Sequence, residues 1–314
     1  MAVDERSNSV YRIQRLGYVV LEVADLDAAV DFYARAVRLE VTERRPGVVF
    51  MSGGVDHHWL RLEKGGHPWV LRIGYQAVNA AALDAIVADL GKRGIAYTDG
   101  SDFGADRVDR AVRFTDPAGI EWEVFTQLAE LAVPIAPNGI GLERMLHTLW
   151  VVPHFDAEAE FCREVLGFRI SDRVEDSIQF LRCGNRYHHS LGLVRGGPDL
   201  EQPAFSHFCI LVDSLDDVMR YRHNAVSLGL ELEEDVLRHP TSGSMGVYVT
   251  EPWLGFSIEF ATDHAIIDDP THVARRLAVG PGALDVWREP LPPPRVDSKA
   301  PFTELLRGEG AATS

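Results

Sequence analysis

A duplication within the chain restricts its fold more than any other feature. The stretch RLGYVVLEVADLDAAVDFYARAVRLEVTER, from Arg15, aligns without gaps on RMLHTLWVVPHFDAEAEFCREVLGFRISDR, from Arg144. Arg15 meets Arg144, Asp27 meets Asp156, Ala28 meets Ala157, Phe32 meets Phe161 and Arg44 meets Arg173. Both copies read as a strand, a short loop and an amphipathic helix begun near an aspartate, which suits a helix N-terminus. Ala29, Phe32, Tyr33 and Ala36 recur at helical spacing. A second strand and helix follow in each half: WVLRIGY then NAAALDAIVADLGKRG, and FSHFCILV then SLDDVMRYRHNAVSLG. These helices stop at Gly94 and Gly229, as a C-terminal cap predicts. Each half then closes on a hairpin, VRFTDPAGIEWEVFT and VYVTEPWLGFSIEFAT, turned at Pro and Gly.

The expected fold class is therefore α+β, with four βαβββ modules arranged two per half. Residues 1–130 form the first domain and 131–142 a linker in which Pro and Gly accumulate. Residues 143–290 form the second domain, and the Pro-rich segment 291–314 a tail packed loosely over the surface.

At 314 residues the chain is long enough for two ordinary domains. Its 46% hydrophobic and 25% charged residues are those of a soluble globular protein. A net charge of −16 argues against nucleic acid or an anionic membrane as partner. No apolar run reaches membrane-spanning length. The charged opening MAVDERSNSVYR is not expected to be a signal peptide. Cys162, Cys183 and Cys209 have neither the number nor the spacing of a disulfide framework, which points to the cytoplasm.

Within the second half, His147, His207 and Glu259 each sit inside a β-type run: ERMLHTLWVV, PAFSHFCILV and GFSIEFAT. A polar side chain on the inward face of a strand must find a partner or cost several kcal/mol. Two imidazoles and a carboxylate on three strands suggest that the partner is an ion. Two His and one carboxylate on one side of a divalent metal is the arrangement of non-haem Fe(II) oxygenases, with open positions opposite. A lone strand histidine is more often a satisfied structural residue, but the duplication supplies a control. His147 aligns with Tyr18, and His207 falls opposite RIGY; only Glu259 keeps a counterpart, Glu123. One half reads as scaffold and the other as the site. Glu123, without histidine partners, is expected to make hydrogen bonds or a salt bridge.

Other histidines have plainer readings. His57 and His58 in VDHHWLRLEK would point to opposite faces of a strand, so surface or subunit contact is the better reading. His67 in GGHPW reads as a turn, and His188 as a pocket-edge or surface neighbour. The acidic ELEEDV lacks the EF-hand spacing and reads as a solvated edge, and the cysteines read as buried.

From about Tyr11 to Trp287 the pattern resembles the vicinal oxygen chelate superfamily (glyoxalase, bleomycin resistance and dioxygenase proteins). Within it, the pattern resembles the type I extradiol ring-cleaving dioxygenases, of the catechol 2,3- and 2,3-dihydroxybiphenyl 1,2-dioxygenase kind. Its most specific match is RHPTSGSMGVYVTEPWLGFSIE, carrying His239, Val247–Tyr248, Pro252, Gly255 and Glu259. A second is GNRYHHSLGL, whose later histidine, His189, resembles the family's acid–base residue. Carried across by position, the resemblance implies His147, His207 and Glu259 as iron(II) ligands. It implies His189 as acid–base group, with His239 and Tyr248 facing the substrate oxygens. Two departures stand out: Leu237, where the family has a small or β-branched residue, and the turn PWLG, one residue longer than Pro–x–Gly.

The resemblance implies two tandem vicinal oxygen chelate domains, a catechol-type aromatic and O2 as substrates, and a homo-oligomer active in aromatic catabolism. The candidate rings run from catechol through 2,3-dihydroxybiphenyl-like to trihydroxylated ones. Manganese(II) suits the same ligands as iron(II). Two other readings compete: a metal-free binding protein that sequesters an aromatic ligand, and isomerisation or thiol transfer on a metal-bound substrate. Sequestration needs none of the ligand set, and the last chemistry is expected to draw ligands from more than one module pair.

Overall fold

Period-two alternation and helix caps put the elements where the duplication predicts them. The structure, a computed structural model, describes residues 11–99 and 103–288, so the tail at 291–314 and most of the charged opening lie outside the described residues. The first module comprises β1 (Ile13–Val23), α1 (Leu26–Arg35), β2 (Glu40–Arg45), β3 (Val48–Ser52) and β4 (Leu60–Lys64). The second comprises β5 (Trp69–Ala77), α2 (Ala80–Lys92), β6 (Tyr97–Asp99), a short α3 (Phe103–Asp106), β7 (Ala111–Thr115) and β8 (Glu121–Phe125). The third repeats the first as β9 (Leu142–Val152), α4 (Phe155–Glu164), β10 (Arg169–Val174), β11 (Ile178–Arg182) and β12 (Leu191–Arg195). The fourth is β13 (Ala204–Val212), α5 (Leu215–Ser227), β14 (Leu232–Arg238), β15 (Met245–Thr250) and β16 (Ser257–Thr262).

The side chains of Asp25, Asn79 and Ser214 accept from the first N–H groups of α1, α2 and α5. Gly94 and Gly229 follow the ends of α2 and α5 at φ +67° and +71°, where a side chain would be strained.

Each half forms one sheet, ordered β2-β3-β4-β1-β5-β8-β7-β6 in the first and β14-β15-β16-β13-β9-β12-β11-β10 in the second. A further strand, β17 (Arg275–Leu277), joins the second sheet beside β10 and has no counterpart in the first among the described residues. The repeat does not announce it.

Alternation sends Thr148, Trp150 and Val152 of β9 toward the other half, while His147, Leu149 and Val151 face away. A single apolar core spans both halves. Tyr75 donates to Ser190 O at 2.6 Å, and Trp122 and Phe168 meet with ring centroids 6.4 Å apart. With the sheets held rigidly on these faces, the opposite face of the second is free to build a cavity. No helix among the described residues is long and apolar enough to cross a membrane.

Candidate metal centre

The cavity opens over the centre of the second sheet, at about 350 Å³. Three adjacent strands set its floor. His147 on β9 stands opposite Cys209 on β13, and Cys209 stands opposite Glu259 on β16. His207 lies two residues earlier on β13, on the same face. The register slips at Leu146 and again at Ser206, so an extra residue lies beside each histidine. Such bulges re-aim neighbouring side chains.

The result is convergence. His147 Nε2 lies 2.9 Å from Glu259 Oε2 and 3.1 Å from His207 Nε2, and His207 Nε2 lies 3.4 Å from the same oxygen. Metal bonds of about 2.1 Å at right angles put donor atoms about 3.0 Å apart. Glu259 is 1% exposed, yet neither of its oxygens makes a hydrogen bond among the described residues. A buried carboxylate left so would cost several kcal/mol, and a divalent cation at the common point of these three atoms removes that cost. The donor set therefore fits a metal.

The protonation states agree with ligation. Burial pushes His207 down to about 3, although the Glu259 carboxylate pulls the other way, so its ring is neutral at pH 7. Burial opposes charge on Glu259, but His147, His239 and His207 outweigh it and keep the carboxyl well below its ordinary range. Cys209 is close enough to His147 and Glu259 to count as a further ligand type, but burial and the Glu259 charge raise its thiol pKa well above the usual. It stays an S–H, which leaves His207 as the third donor.

Around the triangle stand the other residues singled out in the sequence. His189 lines the cavity with its ring 4.1 Å from that of His147, centroid to centroid. Burial, then the neighbouring imidazoles, lower its pKa well below the usual histidine value. Tyr248 is the cross-strand partner of Glu259, and its phenol lies 2.9 Å from His239 Nε2. His239 Nδ1 donates to Leu284 O at 2.7 Å; burial lowers its pKa, but Glu259 and the Leu284 carbonyl outweigh it and raise it above the usual histidine value, which favours an Nε2–H that donates to the Tyr248 oxygen. Burial, then Glu259, push the Tyr248 phenol well above 10, and it remains a donor. Leu149, Val151, Ile178, Phe180 and Val194 supply an apolar wall.

Several participants escaped the sequence reading. Leu284, Asp285 and Arg288 close the cavity from beyond β17, outside any module. His264 is 6% exposed with no hydrogen bond to either ring nitrogen among the described residues, and its ring lies 4.6 Å from that of His189. Its signal was a histidine five residues after Glu259, just past the run that holds it.

Two plain readings need correction. His188 is neither at the surface nor at the pocket edge: it is 2% exposed and bonded to Asp172 and His189. His58 is fully buried, its ring 4.4 Å from Tyr18 and 5.0 Å from Phe50, and His57 Nδ1 lies 3.3 Å from His58 Nδ1. Both pairs occupy bends just before β4 and β12, where the opposite-face rule for strands does not apply. The remaining readings agree with what is seen. All three cysteines are buried free thiols, ELEEDV contributes to the edge strand β14, and His67 lies in the loop between β4 and β5.

The first half shows what the same positions do without the ligands. Tyr18 pairs Gly74, which pairs Glu123, matching His147, Cys209 and Glu259; by the same register Arg72 matches His207 and Arg113 matches Tyr248. Glu123 accepts from the Tyr18 phenol, from Arg72 Nε at 3.1 Å and from Arg113. The expected salt bridge is present. Two guanidinium charges fill the place opposite the carboxylate.

Residues 15–124 and 144–260 match the model of the Glyoxalase/Bleomycin resistance protein/Dioxygenase superfamily. The chain is 26% identical over 297 residues to an iron-dependent extradiol dioxygenase of Rhodococcus jostii (strain RHA1), covering 88% of this chain and 96% of that one. It is 26% identical over 283 residues to a biphenyl-2,3-diol 1,2-dioxygenase of Metapseudomonas furukawaii, covering 84% and 90%. Among solved structures, the Mn(II)-bound glyoxalase from Novosphingobium aromaticivorans superposes with a TM-score of 0.81 at 25% identity, covering 90% of this chain and 95% of that one.

Proposed function

Because the chain belongs to the Glyoxalase/Bleomycin resistance protein/Dioxygenase superfamily, we propose that it is a metal-dependent extradiol dioxygenase that cleaves a catechol-type aromatic with O2. The observation that carries this reading is the buried Glu259 carboxylate, without a hydrogen bond among the described residues and within 3.4 Å of the Nε2 atoms of two imidazoles that line a largely apolar cavity. His147, His207 and Glu259 would hold the metal; iron(II) is the expected ion, and manganese(II) suits the same donors. When bound, the metal supplies adjacent positions for the two hydroxyl oxygens of the ring and for O2, and lets electrons pass between them.

The chain's own residues do the rest. Leu149, Val151, Phe180 and Val194 pack the ring and exclude water. His189, neutral in its buried setting, takes a proton from a substrate hydroxyl and returns it to an oxygen later. Tyr248 donates its one phenolic proton toward charge developing on oxygen, while His239 Nε2, 2.9 Å from the phenol oxygen, holds the group in place. At about 350 Å³ the cavity suits one or two rings. The three buried free thiols favour a reducing cytoplasm.

Oxygen uptake by iron-reconstituted protein with catechol, 3-methylcatechol and 2,3-dihydroxybiphenyl tests the proposal. A yellow ring-fission product with at least one of them is expected. No uptake with any of them by metal-replete protein would refute it. The same assay separates dioxygenase from glyoxalase-type chemistry, which proceeds without O2.

A further inference from the structure

Behind His189 runs a chain of hydrogen bonds that leads away from the cavity to the buried Asp172. Asp172 on β10 is fully buried and accepts from His188 Nε2 at 2.8 Å. His188 Nδ1 lies 3.1 Å from His189 Nδ1. Asp172 is itself fixed by Arg275, its register partner on β17, whose backbone N–H donates at 2.9 Å and whose Nε lies 3.1 Å from both carboxylate oxygens. Burial opposes charge on Asp172, but hydrogen bonds from His188 and Arg275 outweigh it and hold the carboxyl at about 2.

An ionised carboxylate can only accept, so the His188 proton sits on Nε2. Burial keeps His188 neutral, which leaves its Nδ1 as a bare acceptor, and the nitrogen facing it must be the donor. The ring of His189 then has one proton, on Nδ1, and its other nitrogen is the free base. We propose that Asp172 and His188 are positioning residues that fix His189 as the Nδ1–H tautomer, presenting an unprotonated Nε2 to the substrate. This rests on the reading of His189 as the acid–base group.

The duplication provides a control within the same molecule. Glu43 aligns with Asp172, His57 Nε2 lies 3.2 Å from Glu43 Oε2, and His57 Nδ1 lies 3.3 Å from His58 Nδ1. There the chain ends on His58 Nε2, buried without a partner among the described residues. A bare ring nitrogen tolerates such a place better than an N–H with no acceptor. The first copy therefore carries the same tautomer with nothing to act on.

The test uses the full chain loaded with diamagnetic zinc(II), its histidines labelled with 15N, and long-range 15N–1H correlation to read each ring. His189 protonated at Nδ1 and bare at Nε2 is expected, and an Nε2–H on His189 would overturn the proposal. In parallel, Asp172→Asn, Glu43→Gln and His189→Gln are assayed as iron enzymes with 2,3-dihydroxybiphenyl. The Asn amide can donate to His188 and reverse both tautomers, so Asp172→Asn should lower kcat about 100-fold at unchanged iron content. Glu43→Gln should leave kcat unchanged. Asp172→Asn and Glu43→Gln behaving alike would sink the positioning role even if His189→Gln is inactive. An active His189→Gln would instead remove the acid–base reading itself. Should Asp172→Asn fail to fold, the tautomer read in the unaltered protein decides.

Discussion

Glu123 and Glu259 occupy equivalent rungs of the two sheets, opposite Gly74 and Cys209, and differ in what neutralises them. Glu123 receives two guanidiniums and a phenol, whereas Glu259 faces imidazole nitrogens and has no guanidinium partner among the described residues. The shared carboxylate belongs to the duplicated fold, and its partners divide scaffold from site.

That division predicts opposite consequences for the two glutamates. Glu123→Ala removes one of the two buried carboxylates that face Arg72 and Arg113, leaving only Asp106 of that pair, and should cost up to about 3 kcal/mol of stability. Its metal content should match wild type. Denaturant melts and metal analysis of the one variant check both statements.

Tyr248→Phe removes one hydroxyl from the cavity and none of the metal donors. It should lower kcat by about 10²-fold, the scale on which loss of one oxyanion donor acts. Metal content should be unchanged. Steady-state oxygen uptake at saturating 2,3-dihydroxybiphenyl reads the effect.

Asp172 gives a pH signature in stability. Its folded pKa of about 2 lies below the ordinary 3.8, so its contribution is fully present above about pH 4 and lost as pH falls through about 2. The size is roughly 2 kcal/mol. Asp172→Asn should therefore be less stable than wild type at pH 6, and the gap should close toward pH 2. Thermal melts of the pair across that range would show it.

Much of the fold was legible because it repeats. Arg15 to Arg44 against Arg144 to Arg173 fixes the module boundaries, and the capping glycines confirm where α2 and α5 stop. The convergence of His147, His207 and Glu259 was legible for a simpler reason: inward polar residues on alternating strands must share a partner. What stayed hidden depends on contacts distant in sequence. β17 has three residues, too short for any alternation signal, yet it brings Arg275 across from Asp172. The His57–His58 and His188–His189 pairs look the same whether exposed or buried, and their bends removed the strand rule used to place them. The cavity wall at Leu284 to Arg288 depends on a crossover that no module encodes.

The central claim is one metal held by His147, His207 and Glu259. The most direct measurement is to reconstitute wild type, His207→Ala and Glu259→Ala anaerobically with iron(II), desalt, and count iron per folded chain. About one iron per chain in wild type and less than about a tenth in each variant is predicted, since each removes a third of the donor set. Iron retained at the wild-type level by folded Glu259→Ala or His207→Ala would contradict it.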